Sequence, residues 1–152
     1  MTDVLTTEQR RLNMSRIRGK DTKPEMLLRR ALHARGFRFR LHRRDLPGRP
    51  DLVFPQFHSV IFVNGCFWHG HDCPLFKLPA TRTGFWAAKI EGNKKRDCRA
   101  LEDLAISGWR TLVLWECALK GPKREHMDLI ADRVANWLTD VAMSNLSIGS
   151  SL

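Results

Sequence analysis

The 152-residue sequence lacks the features that mark membrane and secreted proteins. It contains no apolar run approaching the roughly 20 residues that a membrane-spanning helix needs. Its N-terminus, MTDVLTTEQRR, is polar and is not typical of a signal peptide. We therefore expect no membrane partner and a cytoplasmic, reducing compartment. The chain also has no internal repeat or low-complexity tract, and its length suits one domain.

Acidic residues are few relative to basic ones. The chain has 26 Lys and Arg against 16 Asp and Glu, which gives a formal net charge of +10. Such an excess favours a polyanionic partner, because contacts to phosphates provide most of the non-specific affinity for nucleic acids. A basic protein that is merely soluble is the alternative that charge alone leaves open.

The pattern of apolar residues predicts a mixed α/β fold with about four strands in one sheet and helices on both faces. The predicted elements follow the order α-α-β-β-β-α-β-α: 7–17, 22–35, 37–41, 51–54, 60–63, 83–106, 111–116 and 124–143. This order divides the chain into an N-terminal arm or short helix (1–20), a single domain (21–143) and a flexible tail (144–152).

Cysteines are also few, at positions 66, 73, 98 and 117, and no two of them form a C-x-x-C pair. The missing pair argues against a redox protein that uses Cys66 and Cys73. In a reducing compartment, metal binding or free thiols are expected before disulfides. Cys98 lies in the middle of a predicted helix and is expected to be a core or boundary thiol.

Metal-binding side chains and large aromatic residues share one loop, FVNGCFWHGHDC (62–73). Cys66, His71 and Cys73 have the spacing C-x4-H-x-C. Cys117 follows a different strand, and the four side chains would converge if the two strands were neighbours in the sheet. They would then make a closed tetrahedral site of the kind that binds structural zinc. The alternative is three small buried residues and a surface histidine.

His69 precedes His71 by two residues, and Gly70 between them can turn the chain. A histidine held beside a metal-binding loop, but outside the coordination shell, is suited to act as a general base. The remaining histidines have no predicted partner and are expected at the surface: His33, His42, His58 and His126.

Asp51 follows Pro50 at the start of a predicted strand. A hard cation such as Mg²⁺ takes oxygen ligands and polarises phosphate and water together. One large class of nucleases holds Mg²⁺ with an acid at this place and a second strand that ends in an acid and a lysine. Here the second strand ends with Asn64 and Cys66 instead, and Pro-Asp is also an ordinary turn dipeptide.

Six segments together resemble the very-short-patch-repair endonucleases, which are relatives of the PD-(D/E)XK nucleases. They are NMSRIRGKDTKPE (13–25), LPGRPDLVF (46–54), VIFVNGCFWHGHDC (60–73), LPATRTGFW (78–86), KIEGNKKRD (89–97) and GWRTLVLWEC (108–117). The resemblance implies a restriction-endonuclease-like fold around a four-stranded sheet. It also implies Mg²⁺-dependent nicking of one DNA strand at a thymine–guanine mismatch left by deamination of 5-methylcytosine, and a structural zinc.

The resemblance further implies roles for individual residues. Asp51 and the main-chain carbonyl of Val63 would bind Mg²⁺, and His69 would activate water. Glu25 and Asp97 would orient groups around the catalytic centre. Zn²⁺ would be bound by Cys66, His71, Cys73 and Cys117. The expected partner is double-stranded DNA with a T:G mismatch, bound by a monomer that is nucleoid-associated while on DNA, with other mismatch-repair proteins as further candidates.

Asn64 departs from the family pattern, which has a histidine here that helps at the scissile phosphate. Asn can donate a hydrogen bond but cannot shuttle a proton at neutral pH. This departure motivates a second hypothesis, a zinc-stabilised DNA-binding protein without nuclease activity.

DNA contacts are also implied by the resemblance. Three aromatic side chains would insert into the base stack beside the mismatch: Phe67, Trp68 and Trp86. Three other residues would lie near the recognised base pair: Met14, Lys89 and Asn93. From the residues alone, Phe67 and Trp68 are more typical of a core, since large aromatics are mostly buried.

Overall fold

The computed structural model describes residues 22–149, so the predicted arm at 1–20, with its helix at 7–17 and Met14, lies outside the described residues. The described elements are α1 (Lys23–Ala34), β1 (Arg40–Leu41), β2 (Leu52–Phe54), a 3₁₀ turn (Pro55–Phe57), β3 (Ser59–Asn64), α2 (Thr83–Ile106), β4 (Arg110–Trp115), α3 (Cys117–Lys120), α4 (Met127–Thr139) and β5 (Leu146–Ile148). They confirm the predicted mixed α/β class.

The sheet has the order β1-β2-β3-β4-β5. Strands β1, β2 and β3 pair antiparallel, whereas β3, β4 and β5 pair parallel. A parallel pair needs a long crossover, which α2 supplies between β3 and β4. Strands β3 and β4 pair along their whole length, with Ser59 opposite Arg110 at the start and Asn64 opposite Trp115 at the end. The segments that follow β3 and β4 therefore start side by side at one edge of the sheet.

Alternate strand residues face two separate apolar layers, because successive side chains of a strand point to opposite faces. Leu52 and Phe54 of β2 belong to the larger layer, which also contains buried side chains of α1 and α4. Val53, between them, packs with Leu104 of α2 in the smaller layer. Helices therefore cover both faces of the sheet, as the sequence predicts.

The long helix α2 coincides with its predicted range and buries only a narrow stripe, formed by Ile90, Ala100 and Leu104. Cys98 lies off this stripe and is exposed, so its prediction as a core or boundary thiol was wrong. Neither α2 nor any other helix within residues 22–149 is both long enough and apolar enough to cross a membrane.

The sheet has five strands instead of the predicted four, because residues 146–148 form β5 within the segment that was predicted to be a flexible tail. The side chain of Asn145 accepts a hydrogen bond of 2.9 Å from the main chain of Thr111, and Ile148 is fully buried. Trp137 of α4 also donates to the carbonyl of Ser144 at 2.7 Å. The segment is thus held by contacts with β4 and α4. These contacts could not be predicted from the few apolar residues of the segment.

Candidate active site and metal centre

The loop after β3 meets the segment after β4 at one edge of the sheet. The main-chain N–H of Glu116 donates to the carbonyl of Asn64 at 2.9 Å, which ties the two strand ends together. One residue further, the N–H of Cys117 donates to Sγ of Cys66 at 3.3 Å. The parallel pairing of β3 and β4 therefore brings together two cysteines that lie far apart in the sequence.

All four predicted zinc ligands lie in one cluster. The ligand atoms of Cys66, His71, Cys73 and Cys117 are within 4.8 Å of one another, so the group can hold a metal ion. Nδ1 of His71 is 3.5 Å from Sγ of Cys117. The His71 ring also stacks on Trp115, with 4.0 Å between ring centroids. We call these four residues the Cys/His cluster.

The protonation of the Cys/His cluster is governed by burial. Burial raises the pKa of the Cys66 thiol, because the thiolate loses its hydration. Burial also lowers the pKa of His71, with the charge of Asp72 acting in the opposite direction. A neutral imidazole keeps a lone pair available for a metal. A bound cation would compensate the thiolates that burial disfavours.

Gly70 directs the two neighbouring histidines to different partners. Its φ of +61° lies in the left-handed region that favours glycine. A Cβ at this position would lie 2.7 Å from Cγ2 of Ile90, so no side chain fits. The turn sends His71 to the Cys/His cluster and leaves His69 outside it, facing α2.

His69 forms a short pair with Asp97 of α2, with 2.6 Å between Nδ1 and Oδ2. When the neutral ring donates its Nδ1 proton to this carboxylate, Nε2 carries the free lone pair. Both side chains are partly exposed. His69 is thus oriented as a proton acceptor by a residue that lies 28 positions further along the chain.

A second polar cluster lies under β2 and consists of Glu25, His42 and Asp51, whose ligand atoms are also within 4.8 Å of one another. Glu25 is only 1% exposed. Its Oε2 accepts a hydrogen bond of 2.9 Å from Arg29 and is 2.7 Å from Nε2 of His42. We call Glu25, His42 and Asp51 the carboxylate cluster.

His42 was expected at the surface, and this expectation was wrong. Its side chain is half-buried and pairs with Glu25. The main-chain N–H of His42 donates to the carbonyl of Asp51 at 3.1 Å, which places the two residues side by side at the end of the β1–β2 pair. The pairing register of β1 and β2 brings His42 to this position. A strand of two residues is too short for that register to be predicted from the sequence.

Asp51 occupies a buried position in which its charge is disfavoured. Burial raises the pKa of Asp51 to about 7; the hydrogen bond from the N–H of Val63 opposes this shift, and the nearby carboxylate of Glu25 adds to it. That hydrogen bond reaches Oδ2 over 2.7 Å. Two adjacent buried carboxylates repel each other, and oxygen donors in this arrangement suit a hard cation.

One open cleft of about 300 Å³ brings most of the predicted catalytic residues together. Among the residues that line it are Gly48, Arg49, Asp51, Val63, Asn64, His69, Asp97 and Trp115. Glu25 is not among these residues but reaches the cleft through its contacts in the carboxylate cluster. The cleft thus combines a buried carboxylate, an oriented histidine and an amide side chain.

Five aromatic rings form a continuous group beside the cleft, which we call the aromatic ridge: Phe67, Trp68, Phe76, Phe85 and Trp86. The centroid of the Phe67 ring lies 5.1 Å from that of the Trp68 ring and 5.6 Å from that of the Trp86 ring. Phe85, at 48% exposure, extends the ridge from Trp86. Phe67 and Trp68 are half-buried and belong to neither apolar layer of the sheet. The core interpretation of these two residues therefore fails.

Asn93 supports the loop that carries the ridge. Its Nδ2 donates a hydrogen bond of 2.8 Å to the carbonyl of Trp68, and its Oδ1 accepts one from Arg96. Lys89 is exposed on α2 between Trp86 and Asn93. Of the three residues predicted near the recognised base pair, Lys89 is exposed to solvent, Asn93 contacts the loop, and Met14 lies outside the described residues.

Comparisons with known proteins agree with one another. A family model described as DNA mismatch endonuclease Vsr matches residues 2–75. The chain is 53% identical over 119 residues to the Type II nicking enzyme V.XorIIP of Xanthomonas oryzae pv. oryzae, covering 78% of this chain and 88% of the relative. It is 44% identical over 138 residues to the DNA mismatch endonuclease Vsr of Escherichia coli, covering 91% of this chain and 88% of the relative.

Proposed function

The chain belongs to the Vsr family of DNA mismatch endonucleases, and we propose that it nicks one strand of double-stranded DNA at a thymine–guanine mismatch left by deamination of 5-methylcytosine. The observation that carries this proposal is the position of the cleft beside the aromatic ridge. Asp51, Asn64 and His69 line the cleft, and the loop that holds His69 also carries Phe67 and Trp68. A group that opens the duplex is therefore held next to groups suited to hydrolyse a phosphodiester.

The carboxylate cluster fits Mg²⁺, because its donors are oxygens and its two buried carboxylates call for a compensating charge. Asp51 would hold the ion, with the main-chain carbonyl of Val63 as a further ligand and Glu25 behind them. When bound, Mg²⁺ supplies polarisation of the scissile phosphate and of a water. The neighbourhood of β2 and β3 around Asp51 also supports a restriction-endonuclease-like fold.

His69 would accept a proton from the attacking water at Nε2. Asp97 holds the ring through Nδ1 and would stabilise the imidazolium that forms. Asn64, buried at the end of β3, would donate a hydrogen bond to a phosphate oxygen. Since an amide cannot release a proton, the leaving oxygen would take its proton from solvent.

The Cys/His cluster fits Zn²⁺, since three sulfurs and one imidazole form a donor set that this ion prefers. A closed set of four protein ligands leaves no position for substrate, so the role would be structural. The ion would stiffen the loop that carries both His69 and the aromatic ridge.

Mismatch recognition would come from insertion of Phe67, Trp68 and Trp86 into the base stack. Opening a base step costs a few kcal/mol, and less where the pair is already mismatched. Stacking of an aromatic side chain returns about 1–3 kcal/mol per base. Because these two terms nearly balance, a mismatch can decide whether insertion occurs. Lys89 and Met14 would contact the opened pair, and Asn93 would hold Trp68 in position.

The proposal is tested with two matched duplexes, one with a T:G mismatch and one fully paired. We expect Mg²⁺-dependent nicking of one strand of the mismatched duplex only, with binding retained in Mg²⁺-free buffer. Selective binding with no nicking at any Mg²⁺ concentration would support the alternative that Asn64 suggests, a DNA-binding protein without nuclease activity. Nicking of both duplexes at equal rates would contradict the mismatch specificity but not the nuclease activity.

Trp68→Ala is expected to weaken binding of the mismatched duplex by about 5- to 160-fold, since it removes one stacking contact of about 1–3 kcal/mol. Binding of the paired duplex should change little. The slope of affinity against salt should stay the same, because no charge is lost. Equilibrium binding of both duplexes over a salt series checks this result. Equal losses on both duplexes would show that Trp68 does not discriminate the mismatch.

A further inference from the structure

The cleft contains one arginine to which the chemistry above gives no role. Arg49 lines the cleft together with Asp51, Asn64 and His69. Two other arginines near the site are engaged: Arg29 pairs with Glu25, and Arg43 pairs with Asp45. Within residues 22–149 the structure gives the Arg49 guanidinium no hydrogen bond and no ion pair. Its charge is therefore available to a ligand of the cleft.

The main chain holds Arg49 in a conformation that an arginine does not favour. Its φ is +51°, and that of Gly48 before it is +76°, so two successive residues are left-handed. Gly48 is pressed against the floor of the cleft, where an added Cβ would lie 2.8 Å from Cβ of Ala100. The N–H of Arg49 closes the turn on the carbonyl of Leu46 at 3.1 Å.

Glycine or asparagine would satisfy the main chain at this position better than arginine. Residues in sparsely populated conformations concentrate at functional sites, where the surrounding structure imposes them. An arginine side chain at the mouth of the cleft is therefore better explained by what its guanidinium does than by the turn.

The negative charges in and near the cleft explain why a cationic side chain is needed there. Asp51 and Asp97 are the acids that line it, and a DNA phosphate that enters brings a further negative charge. Arg49 is the only Lys or Arg among the described residues that line the cleft. Negative charge on the non-bridging oxygens must also be stabilised while phosphorus changes partners. A guanidinium matches these oxygens because it can donate two parallel hydrogen bonds to a phosphate.

We propose that Arg49 is a catalytic residue whose guanidinium binds the non-bridging oxygens of the scissile phosphate. Water forms the new phosphorus–oxygen bond and gives its proton to His69. The bond to the leaving sugar oxygen breaks, and that oxygen keeps the electron pair and takes a proton from solvent. Arg49 holds the phosphate through both events without exchanging a proton. This inference rests on the proposed nuclease function.

Three substitutions separate the charge of Arg49 from its effect on the main chain. Arg49→Gly removes the guanidinium and relaxes the left-handed residue. Arg49→Gln removes the charge but keeps an unbranched side chain under the same constraint. Arg49→Lys keeps the charge without the planar fork. Arg44→Gln is the matched control, because Arg44 is an exposed arginine of the same loop that does not line the cleft.

The measurements are single-turnover nicking of the T:G duplex at saturating protein, affinity in Mg²⁺-free buffer, and the Tm of each variant. We expect Arg49→Gly and Arg49→Gln to nick about 10²-fold more slowly than the wild type, as is usual when a donor to developing charge is lost. Arg49→Lys should recover part of the rate. Affinity should fall no more than in Arg44→Gln, and the Tm of Arg49→Gly should equal or exceed that of the wild type.

The outcomes separate this inference from the function on which it rests. Wild-type nicking accompanied by undiminished nicking in Arg49→Gln would overturn the role of Arg49 and leave the nuclease function intact. A loss that appears only in affinity, and equals that of Arg44→Gln, would reduce Arg49 to a general phosphate contact and so overturn the proposal. A wild-type protein that binds but nicks no duplex would overturn both. If Arg49→Gly is poorly folded, the rate of Arg49→Gln decides.

Discussion

Asp51→Ala is expected to abolish nicking while the protein stays folded and still binds the mismatched duplex. The substitution removes the carboxylate that would hold Mg²⁺, and with it the polarisation of phosphate and water. The Cys/His cluster and the aromatic ridge do not include Asp51, so recognition should survive. Single-turnover nicking and equilibrium binding, the latter in Mg²⁺-free buffer, measure the two functions separately.

The fold should tolerate Asp51→Ala because the buried charge is unfavourable in the absence of metal. The pKa of Asp51 rises from 3.8 to about 7 on folding, so the folded chain binds this proton more tightly than the unfolded chain does. Its contribution to stability therefore declines as the pH rises from 3.8 to about 7, and stays low at higher pH. At pH 8 without Mg²⁺, the Tm of Asp51→Ala should not fall below that of the wild type.

Asp45→Ala is the matched control, since Asp45 is an exposed acid of the same loop that pairs with Arg43. It should nick at the wild-type rate. Undiminished nicking by Asp51→Ala would place the active site elsewhere in the chain. A Tm that falls together with activity would indicate a structural role for Asp51.

Strands and helices with long apolar patterns could be predicted from the sequence, because each pattern reports which side of the element is buried. The run 111–116 predicted a strand, and β4 is found at Arg110–Trp115. The convergence of Cys66 and Cys117 followed from the assumption that the two strands preceding them are neighbours in the sheet, with both cysteines at the same end. The structure contains that pair.

Contacts that depend on register or on a strand edge could not be predicted in the same way. His42 meets Glu25 only because a two-residue strand pairs with β2 in one register. Residues 146–148 form β5 because β4 offers an open edge, whereas their own sequence, Leu-Ser-Ile, is too short a run to predict a strand. In both cases the short strand is stabilised by pairing with its neighbouring strand and not by the propensity of its own residues.

The contacts between α2 and the loop after β3 lie between these cases. Trp86, Asn93 and Asp97 are seven and four positions apart, so helical spacing predicts that they share a face. The spacing does not tell what that face meets. The structure shows Asn93 on the carbonyl of Trp68 and Asp97 on His69. One helix thus aligns the aromatic ridge and the candidate base along the same loop.

The Cys/His cluster takes residues from both ends of that loop, Cys66 and Cys73, so it should control both recognition and catalysis. Cys66 is fully buried and its Sγ accepts a hydrogen bond from the N–H of Cys117. His71 turns away from His69 at Gly70, so a shift of the cluster would move the candidate base directly. Loss of the proposed zinc should therefore remove nicking and mismatch discrimination together, whereas Asp51→Ala should remove nicking alone.

Cys66→Ala is accordingly expected to give a poorly folded protein that lacks zinc and neither nicks nor discriminates the mismatch. Structural Zn²⁺ binds with an apparent free energy of about 10–16 kcal/mol in small zinc domains at neutral pH, which equals or exceeds the usual stability of a domain. Removing one of the four proposed ligands would forfeit a large part of that free energy.

Metal analysis should find one zinc per chain in the wild type and less in Cys66→Ala, and thermal unfolding should show the loss of the cooperative transition. Cys98→Ala makes the same chemical change at an exposed thiol of α2 and should keep its zinc, its Tm and its activity. Wild-type protein purified without chelator that contains no zinc would refute the metal assignment. A Cys66→Ala variant as stable as Cys98→Ala would show that packing of the buried thiols, and not a metal, holds the loop.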